Sequence, residues 1–119
     1  MKRVLNTNVM IYLLSGHLVS PPGQTDIVVS VITELELLSY ASFGEGEEQM
    51  IRDALRTITV IDLNEDVKEA TLKLRRNNRL KLPDAIIAAT AVVLEAELWS
   101  YDRKLLAIRA TRTFQPPIK

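Results

Sequence analysis

The fold class of this chain is decided by residues 82–100, which read LPDAIIAATAVVLEAELWS. Pro83 suits the first turn of a helix, and the residues after it are apolar on nearly every side as far as about Ala96. A helix that is apolar all round is expected to be buried. Leu98, Trp99 and Ser100 then predict a short strand directly behind that helix.

The same alternation of strand and helix extends toward both ends of the chain. Strands are predicted at residues 3–5, 27–31, 59–61, 98–100 and 111–114, and helices at 8–14, 33–40, 47–56, from 64 onward, at 83–96 and from 102 to about 108. Alternating strands and helices favour an α/β fold, here a three-layer α/β/α sandwich with a mainly parallel sheet. A length of 119 residues fits one domain, which we place at residues 1–119.

Composition narrows the chemistry that the chain can perform. Hydrophobic residues make up 47% of it, enough for a core without covalent staples. The absence of cysteine excludes a disulfide framework, a thiol nucleophile and a cysteine-based zinc site. The single histidine, His17, falls in a predicted loop and argues against a histidine-based catalytic triad. We also expect no signal peptide and no membrane-spanning segment, hence a cytoplasmic protein.

The zero net charge hides an uneven distribution of charged side chains. Residues 1–60 carry four Lys or Arg and seven Asp or Glu, whereas residues 61–119 carry eleven and eight. The sharpest feature is residues 73–81, KLRRNNRLK, with five basic side chains and no acidic one. Two interpretations stay open for this run: a solvated helix end favoured by the helix dipole, or a surface that contacts RNA phosphates.

Polar residues follow several predicted strands. Asn6 follows the first strand, Glu34 and Glu36 lie on the helix after the second, and Asp102 follows the strand at 98–100. Asp84 lies in the first turn of the buried helix. Because sites in parallel sheets form at the carboxyl ends of the strands, these side chains are expected to meet at one rim. Helical spacing does not choose between the two glutamates, and each residue could instead be a helix cap or a solvated side chain.

Clustered carboxylates point to a cation-dependent chemistry. They repel one another unless a positive charge lies between them, and oxygen ligands suit Mg²⁺ or Mn²⁺. Such an ion polarises a phosphodiester, activates a water molecule and stabilises the leaving oxygen. This chemistry requires no nucleophilic side chain from the protein.

Four segments, in chain order, resemble the motifs of PIN-domain ribonucleases. They are residues 4–14 (VLNTNVMIYLL), 30–37 (SVITELEL), 82–91 (LPDAIIAATA) and 98–102 (LWSYD). The first and third are the most specific, and together the segments span almost the whole chain. Among PIN domains, the short single-domain form is similar to VapC-type toxins of toxin–antitoxin pairs.

The resemblance implies a function and a set of site residues. It implies an endoribonuclease that cleaves RNA, often as a homodimer, and is held inactive by a cognate antitoxin protein. Glu36, Asp84 and Asp102 would bind Mg²⁺ or Mn²⁺, with Thr7 and Ser100 supporting them through their hydroxyl groups. The resemblance thus selects Glu36 over Glu34.

Residue 6 departs from the family pattern, because Asn6 stands where these enzymes carry an aspartate. An amide oxygen can still coordinate, but the lost charge weakens cation binding, so we expect impaired catalysis. Asn6 is either an introduced inactivating change or a natural loss. In the second case the chain would be a catalytically inactive module that binds an antitoxin or RNA. A receiver-type signalling domain is disfavoured, because no acidic pair follows the first strand.

Overall fold

The computed structural model describes residues 1–39, 44 and 46–119. Its strands are β1 (Arg3–Leu5), β2 (Ile27–Ser30), β3 (Thr59–Ile61), β4 (Glu97–Trp99) and β5 (Thr113–Phe114). Its α-helices are α1 (Thr7–Leu14), α2 (Val31–Leu38), α3 (Glu47–Arg56), α4 (Glu65–Asn77), α5 (Leu82–Leu94) and α6 (Arg103–Leu106). A short 3₁₀ turn, Gln24–Asp26, precedes β2.

The five strands within the described residues form one parallel sheet in the order β3-β2-β1-β4-β5. Val4 in the central strand pairs with Val28 on one side and Leu98 on the other. Every strand therefore ends at the same edge of the sheet. The prediction of an α/β/α sandwich with a mainly parallel sheet is confirmed.

Two hydrophobic cores lie on opposite faces of the sheet. Successive residues of a strand point to opposite faces, and in β1 Val4 enters one core while Leu5 enters the other. The first core packs α4 and α5 against the sheet, and the second packs α1, α2 and α3 against it. The central strand is thus buried on both sides, as parallel strands usually are.

Helix α5 is the most deeply buried helix of the first core. Its residues 85–91 are all buried, and four of these seven are alanines, which allow close packing against the sheet. The helix ends at Leu94 rather than near Ala96, because Glu95 adopts a left-handed conformation with φ of 53°. The Glu95 N–H donates to the Val92 carbonyl at 3.1 Å, which closes the last turn of the helix.

Other predicted boundaries moved by one or more residues, each for a local reason. The strand at 27–31 ends at Ser30, whose hydroxyl accepts the Ile32 N–H and so starts α2 two residues earlier than predicted. The predicted end of that helix, Tyr40, lies outside the described residues. Helix α6 stops at Leu106 instead of about Ile108. Within the described part of the chain, no helix is long and apolar enough to cross a membrane.

Candidate active site

The predicted site residues lie along one edge of the sheet. Asn6 follows β1 and caps α1, and Asp102 follows β4 and caps α6. Glu36 lies on α2, and Asp84 lies in the first turn of α5. All four line one open cleft of about 500 Å³. Parallel topology accounts for this convergence, because it brings the residues that follow each strand to a common rim.

Glu34, the alternative to Glu36, is not among the residues that line this cleft. It lines a separate small depression together with Leu38 and Arg52. Glu36 is held in place by Thr7, another residue of the cleft, whose hydroxyl donates to Glu36 Oε1 at 2.5 Å. Thr7 Oγ1 also lies 3.3 Å from the hydroxyl of the fully buried Thr33. These contacts fix the position of Glu36 relative to α1.

Asn6 is buried, and its amide orientation is set by its neighbours. The Val9 N–H, a donor, lies 3.0 Å from Asn6 Oδ1, so that atom must be the carbonyl oxygen. The amide nitrogen, Nδ2, therefore faces Ser100 and donates to its hydroxyl oxygen at 2.9 Å. A carboxylate at this position would accept from Val9 in the same way, and would accept the Ser100 hydroxyl hydrogen with its other oxygen.

Ser100 joins two of the candidate residues. Its side chain is fully buried, and its Oγ accepts from Asn6 Nδ2 and from the Asp102 N–H, each at 2.9 Å. Asp102 in turn uses Oδ1 to accept the Lys104 N–H at 2.8 Å, as an N-cap residue does. One Asp102 carboxylate oxygen is therefore committed to the start of α6.

The carboxylates of the cleft affect one another electrostatically. Burial raises the pKa of Asp84 above its ordinary value of 3.8, and the negative charges of Asp102 and Glu36 raise it further. The positive charges of Lys81 and Lys104 act in the opposite direction. Asp84 is thus an acid whose ionised form is destabilised by its surroundings, a condition that a bound cation would relieve.

The oxygen donors of the cleft are of the type that a hard divalent cation prefers, but they are too far apart to hold one directly. Carboxylate oxygens from α2, α5 and the start of α6 face it, and these are donors that Mg²⁺ and Mn²⁺ prefer. In the ranges that the structure covers, however, no three His, Cys, Asp or Glu side chains are close enough together to hold an ion. Position 6, between them, offers an amide instead of a fourth carboxylate. An ion bound partly through water would fit this wider arrangement.

Two polar residues of the site region were not predicted from the sequence. Thr33 supports Thr7 from a fully buried position on α2, and Lys104 lies two residues after the Asp102 cap. The spacing between Asp102 and Lys104 was visible in the sequence, but the effect of Lys104 on Asp84 depends on the fold, which brings Asp102 and Asp84 into one cleft. His17 is exposed, as expected of a lone histidine in a loop.

Comparison with known proteins gives one family match and several structural ones. The PIN domain family profile matches residues 3–110. A chain of a toxin–antitoxin complex from Klebsiella pneumoniae is similar, with 32% identity, a TM-score of 0.80, and coverage of 96% of this chain and 97% of that one. No curated protein sequence matches.

Two more distant structures share the fold. A chain of DNA-bound VapBC from Salmonella typhimurium has 19% identity and a TM-score of 0.76, over 96% of this chain and 97% of that one. A chain of VapBC2 from Rickettsia felis, bound to a DNA fragment from its promoter, has 19% identity and a TM-score of 0.73, over 96% and 98%.

Proposed function

The chain belongs to the PIN domain family, and from that membership we propose that it is a metal-dependent endoribonuclease toxin whose catalysis is impaired by Asn6. The observation that carries the proposal is the meeting of Glu36, Asp84 and Asp102 in one cleft at the carboxyl edge of the sheet. These residues are 48 and 18 positions apart in sequence, so no local turn or cap explains their proximity. Parallel topology brings them to one rim, and a cation bound between them is the shared role that we propose.

Each residue of the cleft has a proposed role. Glu36 and Asp84 are the principal ligands of Mg²⁺ or Mn²⁺, and Asp102 is a ligand directly or through water. Position 6 is the central ligand when it is acidic. When bound, the ion supplies positive charge that polarises the phosphodiester and activates water. Thr7 keeps Glu36 turned into the cleft, and Ser100 fixes residue 6 and Asp102 relative to each other.

The proposed partner is a cognate antitoxin protein. The 32% identical structure is a chain of a toxin–antitoxin complex, and the match covers nearly all of both chains. A protein that covers the cleft would block access of RNA to the carboxylates. We further propose that the chain forms a homodimer and acts on RNA, as the family resemblance implies, and that it does so in the cytoplasm.

A second candidate function is an inactive PIN module that binds its antitoxin or RNA without cutting. Asn6 favours it, because both ends of the amide are satisfied: Oδ1 by Val9 and Nδ2 by Ser100. The fold therefore tolerates the amide without an unpaired buried group. The same satisfied geometry would also accept an aspartate, so activity after restoring the acid separates the two functions.

The deciding experiment is Asn6→Asp, assayed for cleavage of a labelled RNA pool with Mg²⁺ or Mn²⁺ and with EDTA. We expect the variant to cleave at least about 100-fold faster than the unmodified chain, since loss of even a residue that supports a metal ligand costs about 10–100-fold. The matched control is Asn77→Asp, which adds the same charge at an exposed position of α4 that does not line the cleft. It should gain nothing.

Three outcomes are informative. Cleavage by the Asn6→Asp variant that EDTA abolishes supports the metal-dependent nuclease. Cleavage that persists in EDTA contradicts the proposed chemistry. A folded Asn6→Asp variant with no gain in activity favours the inactive binding module.

A further inference from the structure

The basic run at residues 73–81 does not form one surface. Lys73 lies on a groove of about 710 Å³ that runs along α4 and is shared with Arg109. Arg75 points its Nε toward the Leu80 carbonyl at 3.4 Å, so it serves the loop between α4 and α5. Neither residue lines the carboxylate cleft or lies within three positions of a residue that does. The structure therefore divides the run, and its basic side chains do not form a single surface for RNA.

Lys81, the last residue of the run, lies on a different surface from Lys73. It is the N-cap residue of α5, three residues before Asp84, and its carbonyl accepts the Ala85 N–H at 2.9 Å. Lys104 lies in α6, where its N–H is fixed by Asp102. Asp84 and Asp102 both line the cleft, so each lysine lies within three residues of one of its carboxylates.

Both lysines are exposed, and their ammonium groups are not committed to the protein. Among the described residues, neither forms an ion pair within 4.0 Å or a side-chain hydrogen bond. By contrast, Lys68 on α4 is paired with Glu65 at 3.1 Å. A lysine that is exposed, unpaired and mobile on a four-carbon stem can bind an external anion at little cost.

We propose that Lys81 and Lys104 bind two phosphate groups of the RNA backbone at the borders of the carboxylate cleft. This inference rests on the proposed ribonuclease function, and it assigns the contacts to two lysines on separate helices instead of to the basic run. The reason is electrostatic: a polyanion approaching three carboxylates is repelled unless cations at the rim attract it. The pair places one positive charge beside Asp84 and one beside Asp102.

The test measures RNA binding instead of cleavage, so it uses the unmodified chain with Asn6 in place. Binding of a 5′-labelled, single-stranded 20-nucleotide RNA is followed by fluorescence anisotropy in EDTA, from 50 to 200 mM NaCl. Each phosphate contact to a single strand contributes about 0.7 to the slope of log K against log salt. Lys81→Gln and Lys104→Gln should each lower that slope by about 0.7, and the double variant by about 1.4.

Matched controls separate a local contact from a change in net charge. Lys73→Gln removes the same charge from the α4 groove and should leave the slope unchanged. Lys81→Arg and Lys104→Arg keep the charge and should retain the slope of the unmodified chain. Thermal unfolding of every variant shows that the fold is intact.

The outcomes distinguish this inference from the proposed function. If Asn6→Asp cleaves RNA but the two lysine variants keep the full slope, the lysine assignment is wrong and the nuclease stands. A reduced slope for Lys73→Gln alone moves the RNA path to the α4 groove and likewise overturns it. If the unmodified chain binds no RNA and Asn6→Asp cleaves none, both proposals fall.

Discussion

Replacing Ser100 by alanine should be costly because one hydroxyl oxygen satisfies one buried and one partly buried donor. Ser100 Oγ accepts from Asn6 Nδ2 and from the Asp102 N–H, each at 2.9 Å, and the side chain has no exposed surface. Alanine would leave both donors without an acceptor, and an unsatisfied buried donor costs about 1–3 kcal/mol. Since Asp102 is only partly buried, water can relieve part of the loss. We therefore expect the free energy of unfolding to fall by about 2–4 kcal/mol.

Urea denaturation measures this change directly. The single tryptophan, Trp99, is 5% exposed and adjacent to Ser100, so its fluorescence reports unfolding of the site region. The matched control is Ser15→Ala, which removes an exposed hydroxyl bonded to the Ile11 carbonyl at 2.8 Å and should cost less than about 0.5 kcal/mol. A loss at Ser100→Ala no larger than at Ser15→Ala would refute the reasoning.

Two further predictions concern the charge of the cleft. Asp84→Asn should be more stable than the unmodified chain at neutral pH, because the raised pKa of Asp84 reflects a carboxylate that the folded protein destabilises. The variant should lose that advantage as the pH falls toward 3.8, because protonation removes the unfavourable charge from Asp84. Urea denaturation of both proteins from pH 4 to 8 checks this, and a constant difference would contradict it. Asn6→Asp should gain about 2.7 kcal/mol of stability from Mg²⁺ at 100 times its Kd, and the unmodified chain should gain less at the same Mg²⁺ concentration because it binds the ion more weakly. Differential scanning calorimetry with and without Mg²⁺ measures the gain, and equal shifts in both proteins would argue against a metal role for position 6.

Elements of the fold that depend on local pattern were predictable from the sequence. The apolar stretch after Pro83 gave a buried helix, and Asn6 and Asn64 cap the helices that follow them. Boundaries set by single hydrogen bonds or dihedral angles were less predictable. The Ser30 cap and the left-handed Glu95 moved the ends of two elements by one or two residues. Neither depends on hydrophobic periodicity.

For the candidate site, the topology of a parallel sheet explains why distant residues could be grouped before their positions were known. It could not separate Glu34 from Glu36, because both sides of α2 are partly apolar. The structure separates them, because Glu36 lines the cleft and accepts from the Thr7 hydroxyl, 29 residues away in sequence, whereas Glu34 does not line it. The division of the basic run at residues 73–81 was equally unpredictable, since it depends on the path of the chain between α4 and α5.

The central strand has a consequence for how the cleft can change shape. Val4 and Leu5 anchor β1 in two separate cores, and Asn6 comes directly after them, with its N–H donating to the Trp99 carbonyl at 3.1 Å. The floor of the cleft is therefore tied to both hydrophobic cores and to β4. We expect it to open only when the central strand unfolds, so changes of shape on binding should fall to the side chains and helix ends around the cleft.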